Sequence, residues 1–333
     1  MRGVPAHHTA CVYTFDQKDM YSKLAQADIT TTVFQFVHEM ALKFRTRSAV
    51  VERRRRGFTH LNSTRPVKGS VCLSFELAAE IAVYEMSTAF FRYGSSTILH
   101  QREGIAMGGI ASPALAWIVC IWAERAWVSS LRCDCHLSVH GIRYFDDCTL
   151  IIAGEREYIG TEGAMNIVEN FKTRCYPPAL RMEPTGSGCE THMLECRIVV
   201  RGNRLSCMHW NKNLEVLQKG ERLLRKFLPY WTCHMGKNRI LRGTLIGMLS
   251  RMLRNTSAEA IPGLLPVLLG YQAELLGLGY PRFYLCGCLR RFIRVRGLSS
   301  VGSPWPSLLR DLSSGVVLAW CEEFVGSPGA CTR

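Results

Sequence analysis

Apolar and polar residues alternate over Cys11-Val12-Tyr13-Thr14-Phe15 and stop at Asp16, the pattern of a strand that ends on a carboxylate. Tyr21–Phe44 then reads as a helix. Arg45–Ser70 is polar and basic, with Arg53-Arg54-Arg55-Arg56, Pro66 and two glycines, and reads as an exposed loop. Apolar residues at helical spacing (Leu73, Leu77, Ile81, Tyr84) predict a helix over Leu73–Ala89, and Phe90–His100 reads as a hairpin turning at Tyr93-Gly94-Ser95.

A Gly-rich turn follows, and a helix runs from Ala114 to Val128. Leu137–Tyr144 and Cys148–Ala153 are short strands rich in β-branched and aromatic residues, joined at Phe145-Asp146-Asp147. Tyr158–Arg174 is the next helix; Leu180–Glu183, Met193–Arg201 and Arg204–Trp210 read as strands. From Leu214 only helical patterns remain: Leu214–Leu228, Asn238–Arg254, Ala258–Leu278 and Pro281–Arg296, with lysines and arginines throughout. The fold class is therefore α+β: a sheet domain over residues 1–210 with a basic loop at 45–70, a basic helical domain over 211–296, and a Ser/Gly/Pro-rich tail over 297–333.

With 333 residues the chain has room for two or three domains, and 47% hydrophobic and 20% charged residues exclude a disordered polymer. A net charge of +14 draws polyanions, nucleic acid or an anionic membrane surface. The fifteen cysteines are scattered, and no apolar leader with a small-residue cleavage site opens the chain, so reduced intracellular thiols are expected rather than a secreted disulfide scaffold. Cys133/Cys135 and Cys286/Cys288 are C-x-C pairs without the C-x2-C spacing of zinc ribbons. Gly104–Trp122 is nineteen uncharged residues, the length of a membrane span, but Gly104, Gly108, Gly109 and Pro113 would break its first half. A buried helix entered through a Gly-rich turn is the expectation, with no membrane partner.

Asp146 and Asp147 carry the most chemistry. Adjacent carboxylates at a tight turn resist joint ionisation, and a divalent cation relieves that cost. Asp16 ends another apolar strand. If the two strands are neighbours, the three carboxylates converge at one sheet edge and hold two Mg²⁺ (or Mn²⁺) ions about 3.5–4 Å apart, the geometry of in-line phosphoryl transfer. Oxygen-only ligands select such hard cations over zinc.

Asp16 with Tyr21 at +5, then Gly104-Ile-Ala-Met107-Gly108-Gly109-Ile-Ala-Ser112-Pro113-Ala-Leu115-Ala116, then Arg143-Tyr144-Phe145-Asp146-Asp147, resembles motifs A, B and C of reverse transcriptases, in order. The middle block, Met193-Leu194-Glu195-Cys196-Arg197-Ile198 and Gly279-Tyr280-Pro281 look most like Penelope-like retroelements, relatives of telomerase. The resemblance covers about residues 10–296. It implies a polymerase palm, an antiparallel sheet with helices on one face, followed by a helical thumb whose cations follow the duplex backbone. It implies Asp16 and Asp146 as metal ligands, Asp147 as a weaker ligand or primer-end contact, and Tyr21 as the steric gate against a ribose 2′-hydroxyl. Gly108 would admit the nucleotide to the backbone, and Met107 would lie near the nascent base pair. Tyr21 and Met107 also read as core residues, and Lys172 as either a general acid for pyrophosphate or a solvated lysine. Arg204–Trp210 falls at the primer grip.

The implied function is RNA-directed DNA polymerase, with RNA template, DNA primer and deoxynucleoside triphosphates as partners. Fifteen residues precede Asp16, so the family's fingers are expected to be reduced or absent, and 37 residues after Arg296 are too few for a nuclease domain. A catalytically inactive nucleic-acid-binding remnant is the alternative. An intracellular location, nuclear or cytoplasmic, fits both; the arginine run also suits a nuclear import signal or a phosphate-contacting patch.

Overall fold

In the computed structural model, the alternating run that ends at Asp16 lies within strand β1 (His8–Lys18). Residues 8–52, 59–61, 69–131, 136–159, 161–219, 221, 228–232 and 240–314 are described. The chain divides into two compact units, Tyr13–Gly186 and Met1–Val12 with Ser187–Arg333.

In the Tyr13–Gly186 unit, the helix expected over Tyr21–Phe44 is broken. Asp19 caps the start of α1 (Met20–Lys23) in a left-handed backbone (φ 58°), and extended backbone at Leu24 and Ala25 separates α1 from α2 (Gln26–Phe44). The loop expected over Arg45–Ser70 contains strands: β2 (Ser48–Glu52) pairs antiparallel with both β3 (Thr59–Leu61) and β4 (Ser70–Ser74). Ala49-Val50-Val51 has the β-branched character of a strand, and the basic composition around it masked this signal. Arg53–Arg56 lie outside the described residues.

Ser74 caps α3 (Phe75–Ser87), its hydroxyl accepting the Leu77 N–H at 3.1 Å. The helix buries Ala79 and Met86, while Leu77, Ile81 and Tyr84, whose spacing predicts the helix, are exposed. The hairpin β5 (Phe90–Tyr93) and β6 (Thr97–His100) forms as expected. The apolar run Gly104–Trp122 is irregular up to Ala111, and α4 (Ser112–Ser130) starts on the Ser112-Pro113 step. Strands β7 (Leu137–Tyr144) and β8 (Asp147–Glu155) pair antiparallel, α5 (Glu162–Arg174) follows, and β9 (Arg181–Gly188) closes the unit.

The principal sheet has the order β7-β8-β1-β9. Period-two alternation along β1 sends Tyr13, Phe15 and Gln17 to one face and Asp16 and Lys18 to the other. The Phe15 ring lies 5.5 Å from Phe171 of α5, Phe171 lies 5.0 Å from Trp127 of α4, and the Cys120 thiol of α4 donates to Gln17 Oε1 at 3.7 Å. Helices α4 and α5 thus cover one face of β1.

In the second unit, β10 (Glu190–Met193), β11 (Cys196–Arg201) and β12 (Arg204–His209) form an antiparallel sheet. The sequence boundary at 210 placed these strands with the first domain. They group with the helices because the Cys207 and His209 amides donate to Ser257 Oγ and Thr256 Oγ1 at 2.9 and 3.1 Å. Helices α6 (Leu214–Gln218), α7 (Arg242–Arg254), α8 (Leu265–Gly277), α9 (Tyr284–Val295) and α10 (Trp305–Ser313) follow. Pro262 turns the first part of the helix expected over Ala258–Leu278 into a 3-10 segment, Ala258–Leu264. Ala258–Gly277 is long and apolar enough to cross a membrane, yet half of it is buried within the protein, including the fully buried Glu274. Part of the expected tail is α10, whose Trp305 is buried with its ring 5.8 Å from Phe292.

Candidate active site

The loop between β7 and β8 has two residues, Phe145 and Asp146, since Tyr144 pairs with Asp147. Phe145 has φ 53°, a left-handed conformation that costs a bulky residue of order 1–3 kcal/mol. Its surroundings hold it there. Arg143 Nη1 donates to the Phe145 carbonyl at 3.2 Å, and the Phe145 ring lies 6.4 Å from Trp117 of α4. The Gln17 amide of β1 donates to the Asp146 carbonyl at 2.8 Å. Both loop carbonyls are therefore bonded, and Asp146 is fixed beside the residue that follows Asp16.

Arg143 is itself held. Its side chain is 7% exposed; Nε donates to Glu124 Oε1 at 2.6 Å, and the Tyr176 hydroxyl donates to the same oxygen at 2.6 Å. Burial pushes the Tyr176 phenol far up, so it stays a donor. Burial also pushes the thiols of Cys120 and Cys148, which flank this network, up to about 11 and about 12. Arg143 stood within the motif C resemblance, but only the structure joins it to Glu124 and Tyr176, which are remote in sequence.

The Gly-rich segment is stitched to α1. The Ile105 amide donates to the Tyr21 carbonyl at 2.6 Å, and Gly104 (φ 69°) is required there because a Cβ would collide with that same oxygen. Glu85 of α3 accepts the Ile110 and Ala111 amides at 2.6 and 3.0 Å, holding the loop where it enters α4. Glu85 carried no sequence signal, since its partners are backbone. Gly108 has φ 98° and open space where a Cβ would stand.

These elements enclose a cavity of about 650 Å³ lined by Gln17, Asp19, Tyr21, Phe90, Phe91, Gln101, Met107 and Asp146 among others. Tyr21 is partly buried at its wall; burial first, then the Asp146 carboxylate, raises its phenol. Met107 is 85% exposed, so it is not the core residue of the alternative reading. Lys172 pairs with Glu169 at 3.4 Å on α5 and does not line the cavity.

The three carboxylates meet in backbone but not in side chain. Asp146 lines the cavity; Asp16 and Asp147 are not among its lining residues. Asp16 accepts an ion pair from Lys18, two residues along the same face of β1, and Lys18 also lies 3.7 Å from Glu183. Asp16, by hydrogen bond and charge, raises the Lys18 ammonium. Among the described residues no three His, Cys, Asp or Glu side chains are grouped to hold a metal ion. The expected convergence is thus absent in this arrangement: the donor chemistry and strand placement fit a hard cation, while Lys18 occupies the Asp16 carboxylate.

No protein-family model and no curated protein matches the sequence. Among solved structures, the chain is similar to telomerase from Candida albicans in complex with a TWJ fragment of telomeric RNA, at 12% identity over 94% of this chain and 51% of that one, TM-score 0.41. It is similar to telomerase from Candida tropicalis in complex with a TWJ fragment of telomeric RNA (13% identity, 92% and 49% covered, TM-score 0.43) and to apo telomerase from the same organism (11%, 93% and 52%, 0.42). The chain spans about half the length of these structures. At TM-scores below 0.5, such likenesses say nothing of what this chain does.

Proposed function

We propose that Tyr13–Gly186 is the palm-type catalytic unit of an RNA-directed DNA polymerase of the telomerase and Penelope-like kind, and that the basic helices after Ser187 are its thumb. The observation that carries this reading is the Asp146 turn: a strained, doubly bonded tip that abuts β1 beside Asp16 and opens on one cavity with Tyr21 and Met107. The ordered blocks around Asp16, Gly108 and Asp146 support it independently.

The reaction joins a primer 3′-oxygen to the α-phosphorus of a deoxynucleoside triphosphate; the bond to the β-phosphate breaks, pyrophosphate leaves, and the hydroxyl proton is lost. Mg²⁺ or Mn²⁺ held by Asp16, Asp146 and Asp147 would supply the positive charge that such transfers require. Tyr21 stands in the cavity wall where its ring excludes a 2′-hydroxyl, Gly108 leaves the backbone open to the incoming nucleotide, and exposed Met107 packs against the nascent pair. In the second unit, Arg242, Arg251, Arg254 and their neighbours contact duplex phosphates, so affinity falls with salt at a slope of about −0.9 per contact in a log–log plot.

Primer extension on an RNA template tests the reading. Asp146→Asn abolishes incorporation, whereas Tyr21→Ala keeps it and admits ribonucleotides. Equal activity of Asp146→Asn and wild type would remove the mechanism. The Lys18–Asp16 ion pair favours a second reading, a nucleic-acid-binding protein with idle carboxylates, which predicts no incorporation by wild type with either cation.

A further inference from the structure

The β5–β6 hairpin has no counterpart in the reaction just described. Every residue of both strands is exposed. Phe90 is 63% exposed, Phe91 50%, Tyr93 72% and Ile98 69%. A two-stranded hairpin in water is marginal without a third layer, and large apolar side chains exposed on both of its faces mark an interaction site.

The composition selects the partner. Thr88–Arg102 carries Arg92 and Arg102 and no acidic residue, on a chain of net charge +14. By the register, Phe90, Arg92, Ile98 and His100 share one face, and Phe91, Tyr93, Thr97 and Leu99 the other. The Phe90 and His100 rings are already stacked, 4.7 Å apart at 26°, and the His100 ring is fixed by its Nε2, 2.7 Å from the Ser87 carbonyl oxygen. Aromatic faces beside guanidinium groups suit a chain of bases and phosphates. A single strand presents base faces; a duplex hides them in its own stack. Phe90 and Phe91 also stand in the wall of the cavity that holds Tyr21 and Asp146.

We propose that the β5–β6 hairpin is a stacking platform for single-stranded nucleic acid at the mouth of the Asp146 cavity, the strand passing over the hairpin edge with bases on Phe91 and Tyr93 of one face and on Phe90 of the other, and phosphates on Arg92 and Arg102. The platform shares its class of partner with the polymerase reading but is argued from the hairpin itself, and its test is a binding measurement that needs no catalysis. Fluorescence anisotropy with labelled oligoadenylate and, separately, a blunt duplex of the same length is measured on the full chain. Phe91→Leu with Tyr93→Leu, and separately Phe90→Leu, keep apolar area at exposed positions and remove the ring.

Each is expected to weaken oligoadenylate binding about fivefold or more per base stack lost, with duplex affinity unchanged, and Phe90→Trp is expected to restore it. Unchanged oligoadenylate affinity in the leucine variants overturns the platform, as does an equal loss for duplex. Concentration-dependent self-association of wild type that the leucine variants abolish also overturns it, because a second copy then covers the hairpin. A wild type inactive in primer extension that still shows ring-dependent binding leaves the platform standing and removes only the polymerase.

Discussion

The Tyr13–Gly186 unit contains two antiparallel hairpins of opposite character. In β7–β8, the inner strand is mostly buried, the tip holds a bulky residue at φ 53°, and both tip carbonyls have donors. In β5–β6, all strand residues face solvent and the turn uses Gly94 at φ 69°, where the left-handed backbone is free of steric cost. One hairpin stores strain against a buried network; the other stores none and offers surface. Chemistry that demands fixed geometry belongs on the first, and contact with a flexible polymer on the second.

The largest break in this contrast comes from Arg143→Met. It leaves the Glu124 carboxylate with the Tyr176 hydroxyl but without its cation, and removes the donor to the Phe145 carbonyl. Removing one member of a buried pair costs about 3–5 kcal/mol, and partial water access to Glu124 places this case at the low end. Urea denaturation is expected to show a loss of about 3 kcal/mol, with primer extension lost in kcat rather than in the KM for deoxynucleotides. Arg143→Lys keeps the charge without the fork and should recover stability more fully than turnover.

How much of this was legible beforehand divides along the same line. The hairpin at Tyr93-Gly94-Ser95, the β7–β8 pair and the Asp146 turn are local patterns, and period two with turn residues reveals them. Sheet neighbours, the Arg143–Glu124–Tyr176 contacts and the Glu85 clamp join residues far apart in sequence, so no local pattern encodes them. Two local errors also have causes. Arginine-rich flanks hid the strand at Ser48–Glu52, and a Ser/Gly/Pro-rich context hid α10, whose Trp305, Leu308 and Leu312 keep helical spacing. Helical spacing revealed α3 itself, but apolar periodicity cannot say which surface a partner covers, and Leu77, Ile81 and Tyr84 stay exposed.

Alkaline pH should loosen the pinned hairpin next. Cys120 and Cys148 ionise at an ordinary 9.0 when unfolded, but burial holds them as thiols up to about 11 and about 12 when folded. Below 9 both states keep these protons. Above it, the unfolded chain releases them and the folded one does not, so stability falls as pH rises, by at most about 1.4 kcal/mol per pH unit for each thiol. Thermal melts from pH 8 upward are expected to show this slope, and Cys148→Ala to reduce it.

Phe145→Gly tests whether the tip is strained at all. Glycine relieves the left-handed backbone by about 1 kcal/mol, and loss of the ring contact with Trp117 works against it by a similar amount. The melting temperature should therefore barely move. Incorporation should still fall, because a tip with freer backbone no longer fixes Asp146; unchanged turnover would mean that the Arg143 and Gln17 bonds alone hold the turn.

The smallest stability effect belongs to the bare hairpin. Phe91 and Tyr93 are half to three-quarters exposed, so replacing either with leucine removes little buried area, and surface changes of this kind stay within about 0.5 kcal/mol. Denaturation midpoints of Phe91→Leu and Tyr93→Leu should match wild type while oligoadenylate affinity falls. The corresponding change in β8, Leu150→Ala, empties a fully buried site and should cost about 2–5 kcal/mol. If Phe91→Leu proved as destabilising as a core truncation, the hairpin would be packed against protein in solution, and its rings would be structural rather than presented to a ligand.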